Sequence, residues 1–295
     1  MLVWLIVTET ALRTEVSAMS QQEGNPAQTY EDFYVANLFR PWTGELISRA
    51  EPRPGERILD LACGTGIVAR LVFRHLEGRA SISGLDLNPA MIDVARAAAD
   101  REGAAIDWHV GSADSVPFPV DTFDLVTIQQ GLQFFPDRPA ALREIHRVLK
   151  PGGRIATETW TEIERNHFNQ AMARAVERQL GRPAMDVPFS LGSEVELREL
   201  FTGAGFAEIY VERVTREVRF PEPDRYLEHR IASLSAAVAE FRSIDADRRS
   251  ALVDGIRAEM AGTLRSYTVG SELVYGTEAH IATAHKPARS GTSGE

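Results

Sequence analysis

Between residues 57 and 160 the apolar positions alternate between two spacings. Compact runs, "RILDLA", "ASISGLDL", "AIDWHV", "FDLVTIQ" and "RIATETW", have the length and β-branched content of buried strands. Between them the apolar residues recur at helical spacing. Val68, Leu71 and Val72 form one stripe in a helix from 67 to 76. Met91, Val94 and Ala95 form another, opened by Asn88 as N-cap with Pro89 in the first turn. Leu142, Ile145 and Leu149 form a third over 137–149, which "KPGG" stops. Strand–helix units joined by short loops predict an α/β fold: a doubly wound, mostly parallel sheet with helices on both faces. Ligands of such sheets bind beyond the carboxyl ends of the strands, where strand order reverses.

After residue 160 the rhythm changes. Phe168, Met172 and Val176 align in a helix over 164–180 that Gly181 ends. Ser193 with Glu196 is a capping-box pair opening a helix that carries Leu197, Leu200 and Phe201. "FAEIYVERVTREVRF" alternates as a long strand. Helices over 224–241 and 246–264 carry the stripes Leu227, Ile231, Leu234, Val238 and Val253, Ile256, Met260, Leu264, and "HIATAHK" predicts a closing strand. The expected organisation is therefore a flexible extension (1–26), a lead-in helical segment (27–50), a cofactor-binding α/β core (51–160), a helical insertion (161–192), a core helix and strand (193–220), a helical cap over the ligand pocket (221–264), a final strand (265–285) and a flexible tail (286–295).

Charge and composition narrow the function. A formal net charge of -10 counts against binding nucleic acid, which needs a basic surface, and against docking on anionic membranes. The apolar stretch "LVWLIV" near the N-terminus is too short to span a bilayer and lacks the flanks of a signal peptide. The single cysteine, Cys63, rules out an intrachain disulfide and suits a reducing, cytoplasmic setting; in a loop of small residues it reads as a packing residue. The seven histidines form no metal-ligand spacing, so no metal is expected. His109 and His146 fall on core elements and read as structural, and Arg143 and Arg147 as a solvated helix face.

The chemistry concentrates in "ILDLACGTG", residues 58–66. Gly64 and Gly66 allow a ligand close to the backbone or supply positive φ, and the next helix turns its N–H groups toward that ligand. Dinucleotide and adenosine-type sites share this geometry. Asp60 separates them: a carboxylate beside the loop repels a diphosphate and attracts a cationic sulfonium or ammonium. Asp86, 26 residues on at the end of "GLDLNP", is placed to accept ribose hydroxyls, and Asp114 in "GSAD" to accept from an adenine amino group.

Four motifs in order, "ILDLACGTG", "GLDLNPAMI", "GSADSVPFPVDTFDLVTIQQGLQFFPD" and "ALREIHRVLKPGGR", make residues 57–160 resemble the class I S-adenosylmethionine-dependent methyltransferases, small-molecule branch, which includes quinone-ring enzymes. The resemblance implies a seven-stranded Rossmann-like sheet ending in an antiparallel strand, and S-adenosyl-L-methionine as cofactor. It implies contacts from Asp60, Ala62, Gly64 and Gly66 near the methionine part, from Asp86 and Leu87 around the ribose, from Ala113 and Asp114 at the adenine, and from Gln129. The aromatic lead-in "TYEDFYVANLFRPW" resembles the helix that covers the cofactor in this branch, with Tyr30 and Phe33 as candidates. Two departures stand out. Ala62 replaces the first loop glycine, and "QQGLQFF" differs from the corresponding stretch of the quinone enzymes. The expected activity is in-line methyl transfer to a small, partly apolar metabolite. No residue is assigned as the general base; Tyr30, His167 and His229 are the candidates. A nicotinamide-dependent oxidoreductase and a non-catalytic S-adenosylmethionine-binding scaffold are the alternatives, and a homodimer is left open.

Overall fold

The computed structural model describes residues 25–237 and 244–289. The expected extension before residue 25, Val238 and the last six residues of the expected tail lie outside that range. The chain divides into two compact units. Of the described residues, the sheet unit holds 42–159, 193–213 and 280–289; the helical unit holds 25–41, 160–192, 214–237 and 244–279.

In the sheet unit the strands β1 (Arg57–Leu61), β2 (Ser81–Asp86), β3 (Asp107–Val110), β4 (Phe123–Gln129) and β5 (Leu149–Trp160) pair parallel. With β6 (Ala207–Pro221) and β8 (Glu272–His285) the strand order is β3-β2-β1-β4-β5-β8-β6, and β7 (Thr268–Val269) pairs with β8 off this path. Order reverses between β1 and β4, which puts the switch point beside the loop after β1. The bonds from Gly152 N–H to the Lys286 carbonyl and from Lys286 N–H to the Gly153 carbonyl run β8 antiparallel to β5. The mostly parallel α/β architecture is the one the apolar pattern predicts.

The helices start where capping chemistry permits. In α1 (Pro26–Thr29) the side chain of Asn25 accepts Ala27 N–H. Arg40–Ala50 forms α2. Ile67–His75 forms α3, preceded by Gly66 at φ +80°. In α4 (Pro89–Glu102) Asn88 Oδ1 accepts Ala90 N–H at 3.0 Å, and Gly103 closes the helix in the left-handed conformation. Asp137 caps α5 (Arg138–Val148) by accepting Ala140 N–H at 2.8 Å. Ser193 Oγ accepts Glu196 N–H at the start of α7 (Glu194–Gly203), but the Glu196 carboxylate turns to Arg138 instead of completing the capping box. The core of this unit is Leu59, Leu125, Ile128, Leu142, Ile145 and Ile155, all fully buried.

The helical unit contains α6 (His167–Leu180), α8 (Pro223–Ala237) and α9 (Ala246–Ser266). The helix expected from 164 begins at His167, because Ile163–Arg165 closes a 3-10 turn and buried Asn166 donates to Thr161 Oγ1 and the Glu278 carbonyl. Tyr30–Phe39 is a π-helix, whose i→i+5 turns are wider than the 3.6-residue period of an α-helix. Phe33, Phe168, Phe220, Tyr226 and Tyr275 pack into one aromatic cluster, with Phe168 stacked on Tyr275 at 4.4 Å and Tyr226 Oη 2.9 Å from Tyr275 Oη. Among the described residues no helix is long and apolar enough to cross a membrane.

Candidate functional site

The loop after β1 is shaped by three left-handed residues: Ala62 (φ +54°), Gly64 (φ +54°) and Gly66 (φ +80°). This explains why glycine suits position 62. Alanine there carries the steric cost of a Cβ at positive φ, of order 1 kcal/mol. Gly66 has a second reason: a Cβ on it would lie 2.2 Å from the Trp108 ring, and one on Gly84 would lie 2.3 Å from it. Trp108 on β3 therefore packs over both glycines and fixes the floor of the loop.

Asp60 is 1% exposed. Its Oδ2 accepts Ala69 N–H at 3.1 Å and its Oδ1 accepts the Thr127 hydroxyl at 3.1 Å. Desolvation is the largest influence on this carboxyl and raises it from the ordinary aspartate value to about 7, against the lowering effect of those two bonds. The side chain thus ties the first turn of α3 to β4, and turns inward beneath the loop instead of facing a ligand directly.

Asp86 ends β2 and is 6% exposed. Its Oδ2 accepts Gly64 N–H at 2.8 Å and its Oδ1 accepts Asn88 N–H at 2.9 Å. Burial raises its carboxyl as well, countered by the backbone donors. Each carboxylate oxygen carries two lone pairs, so acceptor capacity remains for ribose hydroxyls. Val110 lies in register beside Asp86 across the β2–β3 pair and is 53% exposed, and Leu87 is 42% exposed. An acid between two exposed apolar side chains suits a sugar joined to an aromatic base.

Three donors of the loop and the first turn of α3 have partners already. Gly64 N–H goes to Asp86, Gly66 N–H to the Cys63 carbonyl, and Ala69 N–H to Asp60. A diphosphate at a glycine-loop helix needs these N–H groups for itself. Here they are engaged, two of them by carboxylates. The residues present therefore fit a nucleoside with a cationic tail better than a dinucleotide.

Asp114 is exposed in the turn following β3, and Ala113 beside it is half-buried. Gln129, at the end of β4, accepts the Thr43 hydroxyl on Oε1 at 2.8 Å and donates from Nε2 to Glu158 Oε2 at 3.2 Å. Tyr30 and Phe33 stand on the π-helix of the helical unit. Tyr30 is half-buried with its ring 5.3 Å from Phe39; Phe33 is 7% exposed and its ring is 4.4 Å from that of His229. His229 is half-buried and held below the ordinary histidine value, chiefly by desolvation and then by Arg225. His167 is exposed at the start of α6. Arg147 departs from expectation: it pairs with Glu144 and donates to the Val116 and Phe118 carbonyls, clamping the loop before β4.

Sequence reasoning passed over Glu158. It is fully buried near the end of β5, its Oε1 accepting Gln130 Nε2 at 2.8 Å, and desolvation raises its carboxyl to about 7. Its signal was the acid in "RIATETW", which the sheet register sets opposite Gln129 of "QQG".

The sequence profile of the ubiE/COQ5 methyltransferase family matches residues 28–182. The chain is 40% identical over 121 residues to a 2-phytyl-1,4-naphtoquinone methyltransferase of Synechococcus elongatus, covering 40% of this chain and 52% of that one. It is 36% identical over 139 residues to the ubiquinone/menaquinone biosynthesis C-methyltransferase UbiE of Xanthomonas campestris, covering 46% and 55%. The chain thus spans about half the length of these curated relatives. Among solved structures, a putative methyltransferase from Bacillus halodurans superposes with a TM-score of 0.54 at 20% identity, covering 83% of this chain and 99% of that one, a likeness of fold. With the family profile spanning more than half of the sequence, the chain belongs to the ubiE/COQ5 methyltransferase family.

Proposed function

We propose that this protein is an S-adenosyl-L-methionine-dependent methyltransferase acting on a small, partly apolar metabolite. The observation that carries this reading is the occupancy of the loop donors: Asp60 and Asp86 take the Ala69 and Gly64 N–H groups that a diphosphate would require. Asp86 accepts the ribose hydroxyls, with Leu87 and Val110 as apolar flanks for the base. Ala113 and Asp114 meet the adenine edge. Ala62, Gly64 and Gly66 let the methionine part approach the backbone, and Gln129 lines its far side. Tyr30 and Phe33 are the aromatic candidates from the lead-in.

When bound, the cofactor supplies a methyl group activated by a sulfonium. The protein's contribution is alignment of the acceptor with the breaking S–C bond and exclusion of water. Alignment alone accounts for up to roughly 7–11 kcal/mol of barrier lowering. The buried Asp60 and Glu158 set two carboxyls beneath the loop region that can ionise when a cationic donor binds above them. Where the acceptor loses a proton, Tyr30, His167 and His229 are the candidates to take it; the depressed basicity of His229 keeps it neutral and receptive at pH 7.

The relatives' names make an alkylated quinone ring carbon the first acceptor to try. The test is incubation with S-adenosylmethionine and a panel of reduced demethyl-quinones, phenols and amines, scored by S-adenosylhomocysteine formed and by the mass of the product. An acceptor gaining one methyl establishes the activity. Failure to bind S-adenosylmethionine refutes it.

A further inference from the structure

Glu158 is an acid with no cation. It is 0% exposed, and its two oxygens accept the side-chain amides of Gln130 and Gln129. Among the described residues no Lys, Arg or His forms an ion pair with it. Gln130 N–H also donates to the Glu158 carbonyl, so the acid backs the whole Gln129–Gln130–Gly131 turn. That turn lies against the loop after β1: a Cβ on Gly131 would be 2.8 Å from the Ala62 Cβ. Gln130 holds its place at φ +51°, a strained value for a non-glycine residue, and its Oε1 accepts Gln133 Nε2 at 2.7 Å. An amide chain thus joins a buried carboxyl to the part of the loop where the methionine end of the ligand is placed above.

The charged groups on the elements around Glu158 are engaged elsewhere. On β4, Asp124 pairs with Lys150; after it, Arg138 pairs with Glu196. On α2, Glu45 pairs with Arg49, and on β8, His285 lies beside Glu208 and His280 is buried. The influences on the Glu158 carboxyl are its burial, which raises it, and the hydrogen bonds from Gln130 and Gln129, which lower it. Such a group favours its neutral form until a positive charge arrives nearby.

Resting on the cofactor reading above, we propose that Glu158 is a positioning residue that discriminates the charged methyl donor from its neutral product. The protonated carboxyl releases its proton to solvent when the sulfonium ligand binds. The resulting carboxylate then holds the Gln129 and Gln130 amides firmly against the loop. S-adenosylhomocysteine lacks the sulfonium methyl and its positive charge, so it leaves Glu158 protonated. Affinity for the donor therefore rises relative to the product as pH increases through neutrality, and the turnover product is released more readily.

The test is titration calorimetry with S-adenosylmethionine and S-adenosylhomocysteine from pH 5.5 to 8.5, in pairs of buffers of different ionisation enthalpy, on the full chain and on Glu158→Gln. The glutamine keeps the shape: Gln129 can flip its amide, with the Thr43 hydroxyl turning from donor to acceptor. For the unmodified protein the donor-to-product affinity ratio should climb with pH, by about tenfold for each unit the bound donor lowers the carboxyl. Proton release should accompany the donor only. In Glu158→Gln the excess pH dependence should vanish; titration of the ligand's own amino group is common to both proteins and cancels in the comparison. A ratio that climbs equally in Glu158→Gln overturns the proposal and assigns the effect elsewhere, Asp60 first. Carbon-13 NMR of the glutamate carboxyls in the unmodified protein gives a reading independent of the variant's folding: ionisation of Glu158 with the donor but not the product supports the proposal, and an unchanged resonance overturns it. If the donor does not bind to any form, the cofactor reading itself has failed.

Discussion

The most informative perturbation is Asp60→Asn. The Asp60 carboxyl is raised by burial from 3.8 to about 7, so the folded protein holds a proton there that the unfolded chain has lost. For an acid raised on folding, the stabilising contribution is complete below the unfolded value and disappears as pH rises through the folded one. The window is therefore pH 4 to 8. A displacement of about 3 units corresponds to roughly 4 kcal/mol. Asparagine keeps a side-chain oxygen for Ala69 N–H, and its amide can donate to Thr127 once that hydroxyl turns to accept. It removes only the charge. The variant should match the parent below about pH 4, exceed it by about 1.5 kcal/mol at pH 5, and exceed it by up to about 4 kcal/mol at pH 8.5, or roughly 8–16 °C in Tm there. Thermal melts of both proteins across that range provide the assay. The difference between them is the quantity to read, because His146 and His229, held below the ordinary value by desolvation, add stability with rising pH in both. Parallel curves would show that Asp60 is ionised without penalty in the folded protein and would refute the reasoning. The same variant should bind S-adenosylmethionine more weakly: stability gained by removing an uncompensated charge is function lost.

Three further outcomes are expected. Asp86→Ala removes charge-assisted acceptors of about 1.5–3 kcal/mol each, so S-adenosylmethionine affinity should fall by tenfold or more in calorimetry. Gly84→Ala sets a Cβ 2.3 Å from Trp108 and should cost about 1–3 kcal/mol in urea unfolding, with Trp108→Leu on the same chain restoring part of that loss. Ala62→Gly relieves a left-handed alanine at φ +54° and should raise stability by about 1 kcal/mol while leaving cofactor affinity intact.

The parallel core was legible because its signals are local. Each strand is a short apolar run, and the caps Asn88, Asp137 and Ser193 sit where their side chains accept the predicted N–H groups. Positive φ at Gly64 and Gly66 follows from the residue type, and the same conformation at Ala62 explains why glycine is commoner there. What escaped depends on three-dimensional neighbours. Nothing in "RIATETW" tells that Glu158 meets two amides and no cation, because its partners are 28 and 29 residues away, just after β4 and at its end. The π-helix at 30–39 escaped because widened turns break the 3.6-residue period. Asp60 was legible in place but not in orientation: a carboxylate at a strand end can face outward or cap the next helix, and only the Ala69 and Thr127 bonds decide between them.

The central claim, that carboxylates occupy the donors of the β1 loop and so select a sulfonium nucleoside, is tested most directly by one crystal structure grown with equimolar S-adenosylhomocysteine and NAD. The account predicts the adenosine of the homocysteine compound beside Asp86, its ribose hydroxyls on that carboxylate. A diphosphate seated on the Gly64–Gly66 backbone, with Asp60 and Asp86 turned away from Ala69 and Gly64, would contradict it.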